Sequence, residues 1–98
     1  MHVIIELTIV PLGIGVSLSN YIAACEHILQ EAGLTCVLHA NGTNVEGEWE
    51  DVFNAVRRCH ETLHQMGVQR IHTDIKIGTR IDRQQTMADK LASVREKQ

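Results

Sequence analysis

The chain has 98 residues, 44% of them hydrophobic and 21% charged, and a formal net charge of −3. That composition describes one globular domain, residues 1–98, built on a single modest core. It argues against nucleic acid, because the nine Lys and Arg residues stay scattered until the last third and form no concentrated basic face.

Residues 3–10 alternate with the period of a strand, Val3, Ile5, Leu7 and Ile9 on one side and Ile4, Glu6, Thr8 and Val10 on the other. Pro11 and Gly13 are expected to end it. Ser17 or Ser19 can cap a helix over about residues 20–32, where Tyr21, Ile22, Cys25, Ile28, Leu29 and Ala32 form one apolar stripe. Gly33 suits the left-handed position that stops such a helix, and residues 34–40 read as a second strand. The second half repeats the plan. A short strand over 44–48 leads into a helix over 50–66 with Trp49, Val52, Phe53, Val56, His60 and Leu63 inward, closed by Gly67, and a strand follows over 71–78. After a polar loop at 79–85, Thr86 to Asp89 has the form of a capping box that opens a C-terminal helix.

Two such strand–helix–strand units interleave into a ferredoxin-like α+β sandwich, a four-stranded antiparallel sheet with two helices on one face plus a short C-terminal helix. The other sheet face is expected to be bare. Its side chains mix Ile4, Val10 and Val37 with Glu6, Thr8, His39, His72, Asp74 and Lys76, which suits pairing with another copy. A homodimer or homotetramer joined through this open face is therefore expected. Cys25, Cys36 and Cys59 are widely spaced, odd in number and form no Cys-x-x-Cys pair, so they read as buried free thiols. The longest apolar run, Val3 to Ile5, is too short to cross a bilayer, and no secretory signal is visible, so the expected address is cytoplasmic.

The densest chemistry lies between Asn41 and Trp49. Two carboxylates (Glu46, Glu48), an amide (Asn41), a hydroxyl (Thr43) and the only tryptophan (Trp49) share a few residues, with Gly42 and Gly47 permitting close approach. Acceptors beside one aromatic plate suit a small, flat, cationic ligand. A hairpin with solvated acids and a core-filling Trp49 accounts for the same residues. His60-Glu61-Thr62-Leu63-His64 matches the H-E-x-x-H pattern of zinc hydrolases. Against that reading, Glu61 projects about 100° from His60 by helical rotation, and no third ligand follows in a recognisable pattern. A half-buried, hydrogen-bonded imidazole is the simpler account of His60. Glu6, His39, Asp74 and Lys76 could act as an acid–base cluster, but interface salt bridges explain them with fewer assumptions. With three aromatic residues and none on the central strands, base stacking is disfavoured. No nucleophile–base–orienter spacing stands out, so no catalysis and no cofactor or metal are expected.

Several stretches resemble a family of small thiamine-binding proteins: Pro11 to Tyr21, Gly42 to Trp49, His60-Glu61, Ile75 to Ile77 with Arg80 and Asp82, then Thr86-Met87 and Ser93-Val94. The resemblance covers nearly the whole chain in order. It implies a ferredoxin-like fold, a homo-oligomer that is commonly a tetramer of dimers, and binding of thiamine or its hydroxymethylpyrimidine part without catalysis. Two departures stand near the plausible ligand positions: Ala40-Asn41 where relatives usually carry Pro-Met, and Gly78 where an aspartate is common. On this basis Ser17, Asn41, Thr43, Glu46, Glu48 and Trp49 are the expected ligand residues. A carboxylate would balance the thiazolium and bond the pyrimidine, while Trp49 or Tyr21 would offer an aromatic face. An oligomeric structural or regulatory module without a small ligand is the alternative. A zinc hydrolase through His60, Glu61 and His64 is a distant third.

Overall fold

A computed structural model describes all of residues 1–98. Its elements run β1 (His2–Leu12), α1 (Ser19–Glu31), β2 (Thr35–His39), β3 (Gly42–Glu48), α2 (Trp49–Gln65), β4 (Arg70–Gly78) and α3 (Met87–Arg95). The four strands form one antiparallel sheet in the order β2-β3-β1-β4. This is the expected ferredoxin-like arrangement.

Alternation in β1 sets the layers, because successive side chains leave a strand on opposite faces. Val3, Ile5, Leu7 and Ile9 are buried and meet Cys25, Ile28 and Leu29 of α1 and Val52, Ala55, Val56, Cys59 and Leu63 of α2 in one cluster. Pairing in register puts Val45 and Ile77 beside Ile5 on the same face. Leu29 and Leu63 are completely buried, each contributing about 1.5–3 kcal/mol of apolar transfer. All three thiols are free; Cys25 and Cys59 are buried and Cys36 is half-buried.

Helix termini follow the glycine signals more closely than the serine ones. Gly33 and Gly67 take φ of 75° and 97° directly after the last turns of α1 and α2, where an L side chain would be strained. Neither Ser17 nor Ser19 caps α1. Leu18 holds the N-cap position with no side-chain bond, and Ser19 is already helical. At α3 the capping box forms: Thr86 Oγ1 accepts the Asp89 N–H at 3.1 Å, and Asp89 Oδ2 accepts the Thr86 N–H at 2.9 Å.

Two expectations change on contact with the tertiary structure. Pro11 does not end β1, which runs on to Leu12. Beyond Leu7 that strand pairs with β4 alone, and proline, which has no N–H to donate, is tolerated where one edge is unpaired. The open face is also not wholly bare. The N-terminus of α3 docks over one end of it, and Met87 N–H donates to Glu46 Oε2 at 3.2 Å. Glu46 leaves β3 on that open face yet is only 8% exposed.

Candidate functional site

The six expected ligand residues fall into separate neighbourhoods. Thr43 and Glu46 are an odd number of positions apart on β3, so they project to opposite faces of the sheet. Six residue steps, about 20 Å at 3.3 Å per step of extended strand, separate Thr43 from Trp49. Ser17 is exposed in the loop that follows β1. Asn41 sits at the β2–β3 turn, where its carbonyl accepts the Thr8 hydroxyl at 3.1 Å and its N–H donates to His39 Nδ1 at 3.4 Å. These two share one end of the sheet with Thr43.

The other three lie towards the far end and are engaged there. Glu48 accepts from the Met1 ammonium at 2.8 Å, and this contact holds its carboxyl below the usual range. Glu46 accepts from Met87 N–H and faces His2 Nε2 at 3.1 Å. Trp49 opens α2 and packs against Phe53, one helical turn on, with ring centroids 4.7 Å apart and planes tilted by 38°. Both rings also rest on the core.

At the first end the structure supplies a partner that the sequence reading missed. Thr43, buried on the helix side of β3, donates its hydroxyl to Glu26 Oε2 of α1 at 2.9 Å. Glu26 is half-buried and enters no ion pair with any Lys, Arg or His of the chain. Its charge is felt by the surrounding thiols. Burial first, then Glu26, raises the Cys36 thiol, and Glu26 adds to the upward push on Cys59 after the Cys25 contact and burial. The legible signal was position: Glu26 follows Cys25 and lies four residues from Ile22, at the edge of the apolar stripe of α1 rather than opposite it.

The histidines of the H-E-x-x-H stretch make separate contacts. His60 Nε2 meets Thr73 Oγ1 at 2.6 Å, and His64 Nδ1 donates to the Val68 carbonyl at 2.7 Å, which fixes its proton there. Burial, then the charge of His64, lowers the His60 pKa. No three His, Cys, Asp or Glu side chains gather as a metal site. On the open face, Glu6 lies across from Lys76 in register. His39 Nε2 is 3.9 Å from Glu6, too long for a hydrogen bond, and has no other partner. No helix is long and apolar enough to cross a membrane.

The chain is a two-layer ferredoxin-like domain with a carboxylate–hydroxyl pair, Glu26 and Thr43, between its layers. The chain belongs to the thiamine-binding protein family, whose model matches residues 5–95. It is 53% identical over 94 residues to the UPF0045 protein sll0230 of Synechocystis, covering 96% of this chain and 78% of that one. It is 38% identical over 98 residues to the UPF0045 protein ECM15 of Eremothecium gossypii, covering 99% and 93%. Among solved structures it is similar to the hypothetical protein MJ1052 of Methanocaldococcus jannaschii, with TM-score 0.89, 30% identity and 97% of both chains covered. It also shares its fold with a Thermotoga maritima protein provisionally assigned to thiamine biosynthesis or salvage (TM-score 0.82, 20% identity, 96% and 99% covered).

Proposed function

We propose that the protein binds thiamine, or its hydroxymethylpyrimidine part, without transforming it, and that Glu26 and Thr43 hold the ligand between α1 and β3. The observation that carries this reading is a half-buried carboxylate to which the chain offers a hydroxyl but no cation. Thiamine has a permanently positive thiazolium and an amino group on its pyrimidine, the two features such a carboxylate lacks. Membership of the thiamine-binding family supports the same ligand class. Ser17 and Asn41, at this end of the sheet, are proposed to orient the ligand, and Tyr21, half-buried near the start of α1, to give an aromatic face. Glu46, Glu48 and Trp49 fall outside the proposal, because each is engaged elsewhere.

Assembly is the second part of the proposal. Val37 is 51% exposed on the open face, and with Val10, His72 and Asp74, towards the end of that face away from α3, it suits a second copy in a homodimer or homotetramer. The alternative, an interaction module without a ligand, draws on Val16 and Ile81, apolar side chains almost wholly exposed in the two long loops. Calorimetric titration with thiamine and with hydroxymethylpyrimidine separates the two. Saturable heat, reduced by Thr43→Val, supports a ligand protein; no heat with either compound leaves the interaction module.

A further inference from the structure

We propose a second binding site, for a small organic phosphate, in the cleft beneath the loop that joins β4 to α3. The cleft measures about 1000 Å³ and lies between the open sheet face, residues 79–86 and the first turn of α3. Four of the nine Lys and Arg residues line it, Lys76, Arg80, Arg83 and Lys90, in a chain whose net charge is −3. Two carboxylates, Glu6 and Asp89, line it with them.

The charges differ in how far they are engaged. Arg80 is clamped by Asp82 (Nε–Oδ1 2.6 Å, Nη2–Oδ2 2.7 Å) and by Gln85 (Nη1–Oε1 2.8 Å), which stiffens the loop and neutralises Asp82. Asp89 is tied to the Thr86 N–H in the capping box. Lys76 on the sheet, Arg83 on the loop and Lys90 on α3 enter no ion pair, although they come from three different elements. Glu6 lies across the strand pair from Lys76, and Asp82 and Asp89, each already hydrogen-bonded elsewhere, feel the charge of Arg83. Unpaired cations held together in a concave site raise the local concentration of anions. A phosphate group, carrying about −1.5 to −2 charges near pH 7, complements this lining. The cleft is far larger than one such group, and Ile4, on the open face, gives its floor an apolar patch for an organic body. Thiamine itself, a cation, is repelled by this lining, so the site is distinct from that at Glu26 and does not depend on it.

The test is titration of the full chain with ribose 5-phosphate, inorganic phosphate and inorganic pyrophosphate at constant ionic strength, followed by calorimetry and phosphorus NMR. The expected result is saturable ribose 5-phosphate binding in the millimolar range or tighter. It weakens about tenfold in the Lys76→Gln, Arg83→Gln double variant and is unchanged in Glu26→Gln. Both substituted positions are exposed, and the far-ultraviolet spectrum and melting temperature report that the variant is folded; Lys90→Glu gives a second, independent reading of the same loss. Binding that does not saturate, or that survives the double variant and Lys90→Glu, overturns the proposal. Equal affinity for inorganic phosphate and ribose 5-phosphate also overturns it, since the cleft then takes an adventitious ion only.

Discussion

Replacing Glu46 by alanine tests whether this carboxylate anchors α3 rather than ligand. Glu46 Oε2 is the acceptor for Met87 N–H at 3.2 Å, and Met87 is only 9% exposed. Without the carboxylate that N–H is left buried and unpaired, which costs about 1–3 kcal/mol, and the contact to His2 goes with it. A net loss of about 2 kcal/mol corresponds to a melting temperature lower by roughly 10 °C in a domain of this size. Glu46→Gln keeps an acceptor oxygen and is expected to lose less than half as much. Urea unfolding at one fixed protein concentration gives the total, since assembly would make the midpoint concentration-dependent. Native-state hydrogen exchange localises the effect: amides of Met87–Arg95 should exchange much faster in Glu46→Ala while those of β1 keep their protection relative to global unfolding. A stability change below about 0.5 kcal/mol, with unaltered exchange in α3, would refute the anchoring role.

Three further outcomes follow from individual contacts. Gly42→Ala would place a Cβ 2.8 Å from the Leu7 carbonyl oxygen and 2.9 Å from Thr8 Oγ1, so a loss of about 1–3 kcal/mol is expected in urea unfolding. His60 should make stability fall with acidity. Its pKa is lowered in the fold, so its contribution is complete above the unfolded value near 6.5 and is lost as pH drops from there through the lower folded value. The urea midpoint should therefore fall as the pH drops below the unfolded value, and His60→Gln should flatten that fall. The thiols should be inert in the native protein, because Cys25 and Cys59 are buried and both Cys36 and Cys59 are pushed up. Titration with a chromogenic disulfide should be slow before, and complete after, denaturation.

The fold was legible because its signals are local. Alternation from Val3 to Ile9, the stripes of the two long helices, Gly33 and Gly67 after them and the Thr86–Asp89 box each sit within a few residues. What stayed hidden depends on partners distant in sequence. Pro11 ends a strand paired on both edges but continues one paired on a single edge, and that choice is made by where β3 stops. Glu46 becomes an anchor through a bond that spans 41 positions. The Asn41–Trp49 segment looked like one site because its polar residues are neighbours in sequence, whereas an extended strand sends Thr43 and Glu46 to opposite faces and carries Trp49 to the far end. Thr43 belongs to a polar pair whose other half, Glu26, is on α1. That carboxylate betrayed itself only by standing beside an apolar stripe.

The most direct measurement of the central claim is thiamine affinity in the wild type, in Glu26→Gln and in Glu46→Gln, titrated by calorimetry under the same buffer conditions. Removing the charge on Glu26 takes away a charge-assisted bond worth about 1.5–3 kcal/mol, so affinity should fall at least about tenfold, while Glu46→Gln should bind as the wild type does. Undiminished binding in Glu26→Gln, or loss in Glu46→Gln alone, would contradict the account and move the ligand to the other face of the sheet.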